Sequence, residues 1–247
     1  MVYGAIDLHM RYSQIRIIDE GGAVSRDQRV ITSRERLVQA FDGFGPMRIV
    51  VETGTESEWV AHALEGAGHE VVVVDPNYAP MYGELRRRVK TDRRDVAALA
   101  EANRRGWYRA AHRTSAPQRT TRQIVRARRQ IVQMRSGAVA LVRALLKQEG
   151  DRRPRCPAER VPARLARLEV PAARRTILAP LVEMIETATE QIAVLEAQLE
   201  TRAAADPVVQ RLQTVPGVGL VVALTFRTQI DDVARFRHAG QVSAALG

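Results

Sequence analysis

The order of short apolar segments and longer amphipathic segments in the first 105 residues constrains the fold more than any other feature of the chain. Three short segments, Val2–Leu8, Gln14–Ile18 and Val24–Thr32, have the length of strands, and an Asp-Glu-Gly-Gly turn separates the second from the third. Because tight turns join antiparallel neighbours, these segments predict an antiparallel meander.

Helical and strand-like segments alternate after this meander. Arg34–Phe41 has apolar residues at helical spacing and follows Ser33, a residue type that caps helix N-termini. The later segments are a strand over Met47–Val51, a helix over Thr55–Gly66, a strand over Glu70–Val74 and a helix over Thr91–Arg104. This order predicts an α/β fold with a mixed sheet flanked by helices, as in the ribonuclease-H superfamily.

Acidic residues stand at the ends of two predicted strands and at the start of the last of these helices. Asp7 closes the first strand and Glu52 follows the fourth, and these strands are neighbours in a ribonuclease-H type sheet. Asp92 and Asp95 are three residues apart, so they point to similar sides of their helix. Close carboxylates repel one another unless a divalent cation neutralises them, and Mg²⁺ prefers oxygen ligands. The pattern predicts a Mg²⁺ site for phosphodiester chemistry; ordinary strand-end and helix-start charges are the alternative.

A central block from Arg104 to Arg175 is strongly basic, with 20 lysine and arginine residues and 4 acidic ones, whereas the whole chain has a net charge of +10. Such a block attracts a polyanion, most commonly nucleic acid, although a solvated arginine-rich face is the alternative. The predicted nucleic-acid contacts in and near this block are Lys90, Arg93, Arg94, Arg122, Arg126, Arg128 and Arg129. The first three of these could instead pair with Asp92 and Asp95.

Beyond Pro117 the apolar spacing is helical throughout. A long helix is predicted over Gln118–Gln148, and a proline-marked stretch follows it. Apolar residues then recur at threes and fours from Ile177 to Leu199, which is typical of a coiled-coil arm or helical hairpin. Such a helix either pairs with another copy of the chain, making a homo-oligomer, or packs against its own chain.

A Pro-Gly-Val-Gly turn near the C-terminus is the second informative motif. Gly217 and Gly219 lie between two apolar helical segments and leave room for a close approach by a phosphodiester. The backbone N–H groups at the start of the following helix form an anion site. We therefore expect nucleic-acid contacts at both glycines; an ordinary turn between helices is the alternative.

Several strings together resemble the DEDD transposases of the insertion-sequence-110 family. They are Tyr3-Gly-Ala-Ile-Asp-Leu-His, Val50-Val-Glu-Thr-Gly, Val74-Asp-Pro-Asn, Lys90-Thr-Asp-Arg-Arg-Asp-Val-Ala-Ala-Leu-Ala, Ala140-Leu-Val-Arg-Ala-Leu-Leu and Leu212-Gln-Thr-Val-Pro-Gly-Val-Gly. The resemblance implies a RuvC-like ribonuclease-H fold whose Mg²⁺ ligands are Asp7, Glu52, Asp92 and Asp95. It also implies the element's DNA ends, a target DNA, further copies of the chain and a structured guide RNA as partners.

By this resemblance the chain divides into three regions, and at its C-terminal end it differs from the family. The regions are a RuvC-like domain with its basic helix (1–150), a linker and coiled-coil arm (151–205), and a partial C-terminal transposase domain (206–247). The family continues past the equivalent of Gly247 to a serine that is thought to attack DNA, so we expect a truncated copy without serine-mediated strand exchange.

Three other functions are compatible with parts of the sequence. A structure-specific two-metal endonuclease of the RuvC type needs no serine, and a non-catalytic nucleic-acid-binding remnant needs only the basic block. Gly4-Ala-Ile-Asp-Leu resembles the first phosphate loop of sugar kinases and actin-like ATPases, but no second glycine-rich phosphate loop follows.

The expected location is the cytoplasm. Cys156 is the single cysteine and cannot form an internal disulfide. The first 11 residues lack the apolar core of an export signal, and no apolar run reaches the roughly 20 residues needed to cross a bilayer. We therefore expect no membrane association.

Overall fold

The computed structural model describes residues 1–77, 92–148, 150 and 156–246. Contacts between residues divide the protein into two compact units, Met1–Arg113 and Thr114–Gly247. Each unit has its own apolar core. Within the described residues, no helix combines the length and the apolar character needed to cross a membrane.

Five strands of the first unit form one mixed sheet in the order β3-β2-β1-β4-β5. The strands are Val2–Asp7 (β1), Tyr12–Asp19 (β2), Val24–Ile31 (β3), Arg48–Glu52 (β4) and Glu70–Val74 (β5). Strands β1, β2 and β3 pair antiparallel because tight turns join them, whereas β4 pairs parallel with both β1 and β5. The predicted α/β class is confirmed.

Helices cover both faces of this sheet. They are Arg34–Gln39 (α1), Ser57–Gly66 (α2) and Asp92–Arg105 (α3). Leu37 of α1 and Leu64 of α2 are buried in one apolar cluster with Ile6, whereas Leu99 of α3 is buried in another cluster with Ala5. Because successive side chains of a strand point to opposite faces, Asp7 lies on the same face as Ala5, towards α3.

Several limits of elements in the first unit differ by one or two residues from the sequence-based ones, and two of these differences have a clear local cause. Ser33 caps α1 as expected, since its side chain accepts a hydrogen bond from the Arg36 N–H, but α1 ends at Gln39. The Phe41 N–H bonds to the carbonyl of Val38, which tightens the chain into a turn before the predicted end. Strand β4 extends to Glu52 because this residue pairs with Val74 of β5.

The second unit consists of helices. They are Ala116–Gln148 (α4), Val161–Leu165 (α5), Ala172–Ala204 (α6), Pro207–Gln213 (α7), Leu220–Ile230 (α8) and Ala239–Leu246 (α9). Helices α4 and α6 run antiparallel: Val125 of α4 clusters with Leu199 of α6, and Val142 clusters with Leu178. The apolar seam predicted from Ile177 to Leu199 therefore packs against the chain's own long helix.

The packing of α4 on α6 also changes the unit to which α4 belongs, compared with the region expected from the sequence. Helix α4 belongs by its contacts to the second unit, because its buried residues face α6, whereas the sequence pattern placed this helix with residues 1–150. The sequence-based regions, with limits at 150 and 205, stay predictions about function.

Candidate metal centre and nucleic-acid surface

Asp7 and Glu52 occupy equivalent positions at the carboxyl ends of two neighbouring parallel strands. Ile6 pairs with Val51, so the next residue of each strand, Asp7 and Glu52, comes at the same edge of the sheet. Asp7 is buried, with 8% of its surface exposed, and Glu52 is half-buried. The parallel pairing of β1 with β4 is thus what brings the two predicted strand acids to one edge.

Helix α3 brings a third acid to this edge. Its first turn contains Asp92 and Asp95, and the Asp92 Oδ1 atom lies 3.6 Å from the Nε2 atom of His9. The same nitrogen lies 3.2 Å from Asp7 Oδ2. Asp7, His9 and Asp92 each offer one ligand atom, and these three atoms all lie within 4.8 Å of one another.

The electrostatics of Asp7 show that these acids interact. Burial raises the pKa of Asp7, the His9 ring opposes this, and the charges of Asp92 and Asp95 raise the pKa further. A buried carboxylate with two acidic neighbours is destabilised when ionised, and a divalent cation removes this cost. The donor set therefore fits a divalent metal ion.

The predicted set of four acids is only partly brought together. In the described part of the chain, the compact group of ligand atoms contains Asp7 and Asp92, and neither Glu52 nor Asp95 is a member of it. Glu52 instead lines a cavity of about 240 Å³ with Leu8 and residues 53–56 at the same sheet edge. Asp95 lies one helical turn after Asp92 and acts on Asp7 through its charge.

His9 is the residue that sequence reasoning missed at this site. It stands two positions after Asp7, and residues two apart in an extended segment point to the same side. That spacing was the available signal. The Tyr3–His9 string that carries the family resemblance contains His9, but the resemblance assigns it no role.

The basic residues beside α3 have different surroundings. Lys90 lies outside the described residues. Arg93 Nε donates to Asp27 Oδ2 at 3.0 Å, and its side chain is 75% exposed. Arg94 is exposed as well. Arg93 thus forms an ion pair with an acid of strand β3, whereas the sequence had offered its helix neighbours Asp92 and Asp95 as partners.

The four arginines predicted to bind nucleic acid on α4 fall into two pairs. Arg126 and Arg129 are exposed. Arg122 donates to the carbonyl of Thr228, and burial lowers the pKa of its guanidinium. Arg128 donates to Glu196 Oε1 at 2.6 and 2.8 Å. Arg122 and Arg128 thus hold α4 against α8 and α6, whereas Arg126 and Arg129 face solvent.

The glycine turn joins α7 to α8 as the sequence predicted. Gly217 has a φ of +85°, a left-handed conformation that favours glycine, and Gly219 is the N-cap of α8. Among the residues that the structure describes, no side chain caps α8, and a Cβ atom at either glycine would meet nothing within 4 Å. The first N–H groups of α8 are therefore open to an approaching anion.

The family models and the curated relatives that match this chain are all transposases. Residues 5–150 match the family model of DEDD transposases of the IS110 type, described as "Transposase", and residues 209–247 match the model of the transposase IS116/IS110/IS902 family. The transposase for insertion sequence element IS1111A of Coxiella burnetii is 27% identical, over 98% of this chain and 66% of its own length. A probable family 20 transposase of Pseudomonas aeruginosa is 28% identical, over 91% and 68%. The transposase for insertion sequence element IS1328 of Yersinia enterocolitica is 26% identical, over 87% and 64%. The chain thus spans about two thirds of the length of these curated relatives.

Proposed function

Since the chain belongs to the IS110 family of DEDD transposases, we propose that its first unit is the metal-binding domain of a DNA transposase. Asp7, Glu52, Asp92 and Asp95 hold Mg²⁺ in this proposal. The observation that carries it is the approach of Asp92, from α3, to the buried Asp7 at the end of β1.

Asp7, Asp92 and Glu52 have different roles at the proposed site. Asp7 is fixed by the sheet and Asp92 by the start of α3, so an ion between them is held by two separate elements. A Mg²⁺ ion held by these residues would supply charge neutralisation at a phosphodiester, activation of the attacking oxygen and stabilisation of the leaving oxygen. Glu52 lines the adjoining cavity and completes the acidic edge.

The second unit offers two surfaces for a nucleic-acid backbone. Arg126 and Arg129 present exposed positive charge on α4, and the open N-terminus of α8 after Gly219 presents N–H groups. DNA ends, target DNA and a structured guide RNA are the partners that we propose for these surfaces. The exposed side chains of α6, which include Ile177 and Val194, are available for self-association in a homo-oligomer.

Mg²⁺ binding tests the metal-site assignment directly. Isothermal titration of the parent, Asp7→Asn and Asp92→Asn should show a Mg²⁺ site in the parent that each substitution removes. Asp27→Asn is the matched control, because Asp27 is also largely buried but bonds to Gln14 Nε2 at 2.6 Å and to Arg93. This control should keep the site. Parent-like binding by Asp7→Asn would show that the assignment is wrong.

The salt dependence of DNA binding tests the basic surface. On duplex DNA, the slope of log K against log salt should become shallower by about 0.9 for each arginine–phosphate interaction that a substitution removes. Arg126→Gln with Arg129→Gln should therefore flatten the slope, whereas Arg128→Gln, which removes an internal bond to Glu196, should leave it nearly unchanged. An equal slope for the parent and both variants would rule out phosphate binding by Arg126 and Arg129.

A further inference from the structure

His9 places a nitrogen atom between the two closest acids of the candidate metal centre. Its Nε2 atom is 3.2 Å from Asp7 Oδ2 and 3.6 Å from Asp92 Oδ1. Two ligands of one ion, each about 2.1 Å from it, are at most about 4.2 Å apart. Both separations are below this limit, so one ion can contact the imidazole and either carboxylate.

We propose that His9 is a direct nitrogen ligand of the divalent ion at Asp7 and Asp92, which makes this a mixed carboxylate–imidazole site that favours Mn²⁺ over Mg²⁺. The proposal rests on the metal site assigned under the proposed function and adds a ligand and an ion preference to it. His9 is half exposed at 50% of its side chain, so an ion and a nucleic-acid phosphate can both reach it.

The backbone at His9 is held in place by Thr32, the residue that follows β3. The Thr32 hydroxyl donates to the carbonyl of His9 at 2.7 Å. Ser13 Oγ lies 2.8 Å from the same hydroxyl oxygen and, because the Thr32 proton is already used, Ser13 is the donor. The Thr32 N–H also bonds to the Arg11 carbonyl at 3.0 Å. This chain of bonds fixes the backbone that carries the His9 ring, and the contact of its Nε2 atom with Asp7 Oδ2 at 3.2 Å orients the ring itself.

The choice of ion follows from the chemistry of the donors. Mg²⁺ binds almost entirely through oxygen ligands and dehydrates reluctantly, so an added imidazole gives it little. Imidazole nitrogen binds divalent first-row transition metals, and the affinity of such ligands rises from Mn²⁺ through Fe²⁺ and Co²⁺. Even the weakest of this series should therefore gain more from His9 than Mg²⁺ does.

Electron spin-echo envelope modulation of bound Mn²⁺ tests the proposal. A directly bound imidazole gives a hyperfine coupling between its nitrogen nucleus and the unpaired electrons of the ion. The parent should show this coupling, and labelling histidine with the heavier nitrogen isotope should change it without any substitution. His9→Ala should remove the coupling, weaken Mn²⁺ binding about tenfold or more, and change Mg²⁺ binding much less.

His62→Ala is the matched control. The His62 ring also lies between two carboxylates, with Nε2 at 2.9 Å from Glu58 and Nδ1 at 3.4 Å from Glu65, but it lies on α2. This variant should keep the nitrogen coupling and both affinities. A coupling that survives in His9→Ala would overturn the proposal.

The outcomes separate this inference from the proposed function. If Mn²⁺ binds the parent and Asp7→Asn abolishes binding, but no histidine nitrogen is coupled, His9 only orients Asp7 and the inference is wrong while the metal site stands. If neither Mn²⁺ nor Mg²⁺ binds the parent, or Asp7→Asn binds both normally, the metal site itself is wrong and the inference falls with it.

Discussion

Replacing Asp7 by asparagine should stabilise the metal-free protein, although it removes a proposed ligand. Asp7 and Asp92 have oxygen atoms within 4.8 Å, and Asp7 is buried whereas the Asp92 side chain is 60% exposed. Two unit charges at that distance repel by about 3.5 kcal/mol at an effective dielectric constant near 20 and by about 0.9 kcal/mol in water. Because Asp92 is largely solvated and His9 offsets part of the repulsion, we expect a gain of about 1–2 kcal/mol.

The stability difference between Asp7→Asn and the parent depends on bound metal and on pH. Mg²⁺ at about ten times its Kd adds about 1.4 kcal/mol to the parent alone, so the difference should vanish or reverse there. Burial and the neighbouring acids raise the pKa of Asp7. The cost of its ionised form is therefore fully present above the raised pKa. That cost is lost below the unfolded value of about 3.9, so in EDTA the two proteins should converge in acid.

Tryptophan fluorescence during urea unfolding measures the difference in stability between the parent and Asp7→Asn, because it reports on the first structural unit, where Asp7 lies. The chain has two tryptophans, Trp59 and Trp107, and both lie in the first unit. Asp27→Asn is again the control: it should destabilise the protein with and without Mg²⁺, because it weakens the bonds to Gln14 and Arg93. An Asp7→Asn protein that is less stable than the parent in EDTA at neutral pH would refute the reasoning.

Three further predictions concern stability and binding elsewhere in the protein. Asn103→Leu should lower the free energy of unfolding by about 2–4 kcal/mol in urea titrations, because the buried Asn103 amide donates to the carbonyls of Gly4 and Arg48 and both acceptors would lose a partner. Gly217→Ala should destabilise the second unit by about 1–2 kcal/mol through its left-handed backbone, whereas Gly219→Ala should leave thermal unfolding unchanged but weaken DNA binding in a filter assay. Glu101→Gln should lower the free energy of unfolding by less than about 1 kcal/mol at neutral pH and should have almost no effect near pH 2. Hydrogen bonds from arginines lower the pKa of Glu101 to about 2 in the folded protein. The stabilisation by ionised Glu101 is therefore lost as the pH falls from the pKa of the unfolded chain to the pKa of the folded protein.

The sequence was sufficient to predict the elements of the first unit and their order. Strands β1, β4 and β5 are short and largely apolar, β2 alternates polar and apolar residues, and the helices have apolar residues at helical spacing, so local pattern and tertiary structure agree there. Strand β3 is mostly polar and has the weakest pattern. That Asp7 and Glu52 lie at the same edge of the sheet also followed from the sequence, because the carboxyl ends of neighbouring parallel strands meet at one edge. That the two residues lie level with each other depends on the register of β1 against β4, and the sequence patterns did not predict strand registers.

The surroundings of individual side chains were the part that the sequence could not supply. Arg122 and Arg128 have the same local pattern as Arg126 and Arg129, yet Arg122 bonds to a group on α8 and Arg128 to one on α6. Which arginines face solvent depends on where α6 and α8 pack along α4, and no spacing within α4 contains that information. Net charge therefore predicted a basic surface but not its members.

The approach of Asp92 to Asp7 is likewise a property of how α3 packs on the sheet. An apolar cluster containing Ala5 and Leu99 holds the helix over β1, and Asn103 attaches its C-terminal half to the backbones of β1 and β4. Neither contact involves an acid, but together they set the height at which the first turn of α3 meets the end of β1. The attraction of this packing has to exceed the repulsion between the carboxylates, which is why the acids can be held together before an ion neutralises them.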